Sequence, residues 1–221
     1  MIADLLPLIV ASALLPAWII IALLLLRGPG GLMKAVAFVA GAILVRSLVI
    51  FLFHVVIGAG ADQEDAESSG LIASTLLTMV GILLLVAAYK KFRKEDDADA
   101  PPPKWMSALG GMPPAKALGF GALLMLIAVK QWVFTLSAIA IVEEAQVVGV
   151  EAVLAYTLFV LGSMSLMLAP IVLTAIVPAQ AAQLLEKVMG FLDRYNRPIT
   201  IGASLIFGVW FLFKGITGLM G

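Results

Sequence analysis

The chain has 221 residues, of which 62% are hydrophobic and only 13% charged, with a mean hydropathy of +1.12. Soluble domains carry about a quarter charged residues, so this is the composition of an integral membrane protein. Lys and Arg balance Asp and Glu, which leaves no basic excess for nucleic acid, and the absence of cysteine excludes disulfides and thiolate metal sites.

Crossing about 30 Å of hydrocarbon takes roughly 20 apolar residues at helical rise. Such runs occur near 4–26, 35–59, 71–89, 117–142, 152–177 and 199–219. Backbone in hydrocarbon must satisfy its own hydrogen bonds, so the runs read as helices. No stretch has the alternation of an outer-membrane barrel. The expected fold is an all-α integral membrane protein with six transmembrane helices. The opening MIADLLPL lacks the positive flank of a cleavable signal peptide, so the first run reads as a span.

Loop charges set the expected direction. Arg27 and Lys34, then Lys90, Lys91, Arg93, Lys94, Lys104 and Lys116, then Lys187, Arg194 and Arg197 all fall on one side. The opposite loops, GADQEDAESSG and EEAQVVGVE, have no Lys or Arg. Positive loops stay inside, which places both termini outside and the 90–116 linker in the cytoplasm. The halves 1–89 and 117–221 then enter the membrane from opposite sides. If they share a fold, they form a 3+3 inverted repeat, a frequent plan in secondary transporters. The trace is faint: ALLPAW (13–18) can be laid on IAVKQW (127–132), matching Trp18 to Trp132.

Softer segments remain. EDDADAPPP (95–103) reads as a flexible linker. Near 180–197, AAQLLEKVMGFLDRYN sets Ala181, Leu184, Leu185, Val188, Leu192 and Tyr195 on one helical face. It either lies along the inner membrane surface or forms an amphipathic lead-in packed on neighbouring loops. The terminal GITGLMG offers small residues for close helix contact.

Three cations fall within spans: Arg46, Lys130 and Lys214. Lys214 is near the outer end of its helix and can snorkel. Arg46 and Lys130 are central, where a charge costs about 2.5–3.5 kcal/mol on insertion scales. Every Asp and Glu lies in a loop or at a helix end, so neither central cation has an acidic partner in the sequence. A wet cavity, free backbone carbonyls or an anion carried by a substrate could offset the cost. Pro16 cannot bond the carbonyl of Ser12, and Pro170 likewise frees that of Leu166, close to Ser163 and Ser165. Pro16 and Pro170 therefore mark the expected helix breaks. His54 reads as a neutral polar residue facing neighbouring helices. With no P-loop, no catalytic spacing and no intramembrane set of cation ligands, no cofactor, metal or enzymatic activity is expected.

PKWMSALGGMPPAKALGFGALLMLIAVKQW (103–132) resembles the linker and fourth helix of the glycopeptidolipid-addressing and sulfolipid-addressing proteins, within the LysE-type exporter superfamily. The likeness extends to LLPAWIIIALLLL with GLMKAVAFVAGAIL, and to GSMSLMLAPIVL with EKVMGFLDRYNRPIT. In that family the fourth helix carries Asn-Pro-Lys-Asn. Lys130 matches its lysine, Gln131 its second asparagine, and Pro16 the proline of the first helix. Ala128 and Val129 replace Asn-Pro, so the resemblance implies that this chain lacks the break in the fourth helix. Leu15 stands where serine is common, and Arg46 matches no family motif. The resemblance implies movement of amphipathic, anionic cell-envelope lipids or glycolipids across the inner membrane. The candidate substrate-binding residues are Lys130, Arg46, Gln131, Pro16, Ser12, Ser163 and Ser165, and envelope-lipid export machinery is an expected partner. The rival readings are an exporter of small soluble solutes and a non-transporting accessory subunit that docks through the linker.

Overall fold

The computed structural model describes residues 1–58, 66–93 and 109–220, all of whose regular structure is helical. The acidic loop at 62–65 and the EDDADAPPP and PKW stretches lie outside the described residues, as does the side chain of His54. The helices are α1 (Ile2–Ala13), α2 (Pro16–Arg27), α3 (Gly31–Gly58), α4 (Ala66–Arg93), α5 (Pro114–Ile127), α6 (Val129–Glu144), α7 (Val150–Ser163), α8 (Ser165–Ile176) and α9 (Pro178–Met220).

Among the described residues, three segments are long and apolar enough to cross a bilayer unbroken: Gly31–Phe53, Leu71–Arg93 and Arg194–Met220. The other spans are bent pairs, α1–α2 by 54°, α5–α6 by 73° and α7–α8 by 70°, which brings the total to as many as six if each pair is one span.

Only the first break coincides with the proline expected to cause it, since Pro16 opens α2. The break at Ala128 exists without proline, contrary to the expectation from the missing Asn-Pro. Its physical basis is local. Ala128 takes φ −79° and ψ 84°, outside the helical region, and the indole Nε1 of Trp132 donates to the carbonyl of Leu126 at 2.7 Å. In a continuous helix that carbonyl would accept from residue 130. An unpaired carbonyl facing hydrocarbon is costly, and the tryptophan satisfies it. The third break falls at Met164, six residues before Pro170, which sits inside α8. Ser163 donates back to the carbonyl of Val160 at 3.1 Å as α7 ends.

The core divides into two clusters. One contains Ile20 and Leu23 of α2, Phe38 and Ala42 of α3, Met125 of α5, Met167 of α8 and Leu185 of α9. The other contains Leu5 and Leu8 of α1, Leu77 of α4, Phe134 and Ala138 of α6, Phe159 of α7 and Phe211 of α9. Each bent span changes core at its break, and α3 passes through the waist between Val45 of the first cluster and Ile50 of the second.

Close backbone contact holds the long helices. A Cβ on Gly121 would collide with the carbonyl of Phe38, and one on Gly41 with that of Leu118, so α3 and α5 meet backbone to backbone. The small residues at the end of α9 serve the same purpose: Gly215 and Gly218 lie against Thr78 and Ser74 of α4. The GITGLMG stretch is thus used within the chain.

Beyond the first core, Lys34 donates to the carbonyl of Gly110 at 2.8 Å, and Arg197 to that of Phe92 at 2.9 Å. Beyond the second, Lys214 pairs with Asp4, where free snorkelling was expected. Lys34, expected as a loop charge, is buried. The amphipathic stretch is continuous with the last span. It buries Ala181, Leu185, Met189 and Leu192, the last three in the first core, while Leu184, Val188 and Tyr195 stay exposed.

Candidate functional site

Four of the expected residues meet at the waist. Arg46 is completely buried. Its Nη1 donates to the hydroxyl of Ser163, and its Nη2 to Oε1 of Gln131. The same Gln131 oxygen accepts from the hydroxyl of Ser12 at 2.9 Å. The guanidinium carbon also lies 5.3 Å from the centroid of the Phe159 ring. Ser12 is one residue from the end of α1, Gln131 is in the first turn of α6, and Ser163 is the last residue of α7. One arginine on an unbroken helix therefore fastens the broken ends of three others.

Proton counting supports this arrangement. Ser163 spends its hydrogen on the Val160 carbonyl and offers a lone pair to Arg46. Gln131 Oε1 has two lone pairs and two donors. What Ser12 contributes is its hydroxyl, where the sequence pointed to its carbonyl. Hydrogen bonds to a charged group contribute about 1.5–3 kcal/mol each, and a desolvated ring face about 2. Together these exceed the roughly 2.5–3.5 kcal/mol cost of placing the ion at mid-membrane. Arg46 is thus compensated without a carboxylate. Its Nε, buried and without a hydrogen-bond partner, is the remaining deficit.

Lys130, one residue before Gln131, leaves α6 on another face. It lines a cavity of about 470 Å³ together with Leu15, Pro16, Trp18, Val129, Gln131, Asn196 and Thr200. Among the described residues its ammonium has no carboxylate and no hydrogen-bond partner. Val129 beside it is 66% exposed, so the cavity lies near the outer surface of the bundle. Asn196 and Thr200 were not among the expected residues. They lie one turn apart on α9, and Thr200 donates to Oδ1 of Asn196 at 3.1 Å. That bond leaves the Asn196 amide hydrogens available for an acceptor in the cavity.

The seven expected residues therefore separate. Ser12, Arg46, Gln131 and Ser163 form the buried knot, while Lys130 and Pro16 line the cavity and Gln131 borders both. Ser165 is exposed beyond the Met164 break and joins neither group. Phe159, which no pattern in the sequence singled out, completes the knot.

The two breaks flanking the cavity also align. In the ALLPAW and IAVKQW pairing, Leu14 falls on Ala128, and these are the C-cap residues that follow the ends of α1 and α5. Comparison with known proteins adds the family. No curated protein and no solved structure matches the chain. The family model described as Sap, sulfolipid-1-addressing protein, matches residues 5–217, nearly the whole length, and the chain belongs to that family.

Proposed function

We propose that this protein is an inner-membrane translocation factor for an amphipathic, anionic envelope lipid, and that the Lys130 cavity receives the headgroup. The observation that carries this reading is an ammonium with no counter-ion among the described residues, held at a helix break in a cavity of about 470 Å³. A cation kept at this depth without compensation costs about 2.5–3.5 kcal/mol, and an arriving phosphate, sulfate or carboxylate removes that cost. The family description points to lipid addressing. The cavity wall is largely apolar, with Leu15, Ala17, Trp18, Ile20 and Val129. That favours a lipid over a small soluble solute, which needs a polar, sealed site.

Arg46 in this reading is a positioning residue, because it is enclosed by its own partners. Packing that pairs α3 with α5 as it pairs α7 with α1, and α6 with α4 as it pairs α2 with α9, supports the reading of the two halves as an inverted repeat. Both termini face outward, and the end carrying Arg27, Lys34 and Arg197 faces the cytoplasm. No bond is made or broken in the lipid.

The test is reconstitution of wild type and Lys130→Met in phosphatidylcholine vesicles containing a fluorescent anionic lipid, with transbilayer movement as the readout. Wild type accelerates movement and the variant does not. Equal rates, or no movement with wild type, would sink the proposal.

A further inference from the structure

A second cavity, of about 530 Å³, lies on the other side of Pro16 and is apolar throughout. Its walls are Pro16 and Ile19 of α2, Leu166, Ala169 and Leu173 of α8, and Leu184, Val188, Phe191 and Ile199 of α9. Pro16 borders both cavities. So does α9, which turns Asn196 and Thr200 to the lysine and Leu192 and Ile199 to the groove. A charged compartment and an oily one thus meet at Pro16.

Building on the headgroup reading, we infer that this groove seats the proximal hydrocarbon chain of the same lipid molecule whose anionic head lies at Lys130. The exposed face of the amphipathic stretch, Leu184, Val188 and Phe191, lies against that chain. Charge fixes the occupant's polarity: the head end must be anionic because the cavity offers a cation, and the tail end must be hydrocarbon because the groove offers no polar partner. Apolar surface gains little by moving from lipid tails to protein, so the groove need not bind the chain tightly. Its task is to keep the chain in apolar surroundings while the head is inside the bundle. A transporter of free solutes has no use for such a compartment. The break of the first span at Leu14 and Leu15 separates α1 from α2 beside both cavities.

The test uses phosphatidylglycerol bearing a diazirine at mid-chain, in phosphatidylcholine vesicles containing the full-length protein, with a phosphatidylcholine diazirine probe for comparison. The anionic probe should label residues 166–173 and 184–192 above the zwitterionic one, and Lys130→Met should erase that excess. Equal labelling by both probes, labelling centred on the other lipid-facing groove at Ile43, Phe51, Val153 and Leu161, or no labelling would each overturn the assignment.

Filling the groove separates this inference from the translocation reading. Ala169→Trp should slow movement of the anionic lipid at least about tenfold, because a chain cannot pass a close-packed interior. Val172→Trp, exposed on the same helix but outside the groove lining, reports any general effect of bulk and should leave the rate within about twofold, as surface changes do. If Ala169→Trp moves lipid as wild type does while Lys130→Met does not, the groove assignment fails and translocation stands. If wild type moves no lipid yet the anionic probe labels the groove through Lys130, the seat stands and translocation falls.

Discussion

Arg46 and Lys130 are both cations deep in apolar helices, yet the protein treats them in opposite ways. Arg46 is enclosed by Gln131, Ser163 and the Phe159 ring, and through Gln131 it reaches Ser12. Lys130 is the neighbour of that same glutamine, turned about 100° around α6, and it faces a cavity where no described residue neutralises it. The difference follows from side-chain chemistry. A guanidinium presents a fixed fork of donors that can reach two oxygens at once, whereas an ammonium is a compact point charge on a flexible stem. The fork suits a permanent joint among three helix ends. The point charge suits a partner that comes and goes. Of these two cations, the one without partners among the described residues is the one available for a ligand.

The sharpest way to break this comparison is to exchange the chemistries. Arg46→Lys keeps the charge but loses the fork, so the ion stays buried with one of its two hydrogen bonds in the knot lost. We expect it to cost about 3 kcal/mol, since a buried charge with incomplete pairing is strongly destabilising. Arg46→Met loses the hydrogen bonds and also the buried charge, and should cost less, about 2 kcal/mol. Thermal unfolding in detergent ranks the two. A lysine variant as stable as wild type, or more stable than the methionine variant, would mean that fork geometry does not hold the three breaks.

The reverse holds at the other cation. Lys130→Met removes an uncompensated charge and should raise stability by about 1 kcal/mol, part of the insertion cost being already relieved by the cavity. Under the proposed function the same substitution should abolish lipid movement, so stability and activity should change in opposite directions. A fall in melting temperature comparable to that of Arg46→Met would make Lys130 a structural residue and remove the distinction between the two sites.

The sequence made some of this legible and hid the rest for identifiable reasons. Apolar runs are long-range averages, so an all-helical membrane fold and the placing of Arg46 and Lys130 within apolar helices were readable. Pro16 announced the first break because proline acts on its own helix. The break at Ala128 was hidden, because its support is the Trp132 indole reaching back to Leu126, and an indole in a membrane helix has many uses. Pro170 misled in the opposite sense: it stays inside α8, while the chain bends at Met164, beside the serine that Arg46 holds. Ser12, Gln131 and Ser163 were recognised as polar groups at depth and read as ligands for cargo. That they bind Arg46 depends on α3 passing between two cores, which is a property of packing. Asn196 looked like part of a loop until α9 proved continuous through it.

The pairing of Asp4 with Lys214 was within reach of the sequence, since the expected topology set both at the outer end. It also gives the mildest test of how burial sets the worth of a buried charge. Its partners are 37% and 39% exposed, so water competes with the bond, and Asp4 keeps the terminal ammonium of Met1 at 2.9 Å when the lysine is lost. Exposed ion pairs contribute about 0.2–1 kcal/mol. Lys214→Met should therefore lower stability by about 0.5 kcal/mol at low salt, with the deficit vanishing near 1 M salt, where screening falls to about 3 Å. Loss on the scale of Arg46→Met, or insensitivity to salt, would show that closing the outer end of α1 onto α9 matters as much as the knot at the waist. The contrast between enclosed and accessible charge would then no longer predict which residues hold the bundle together.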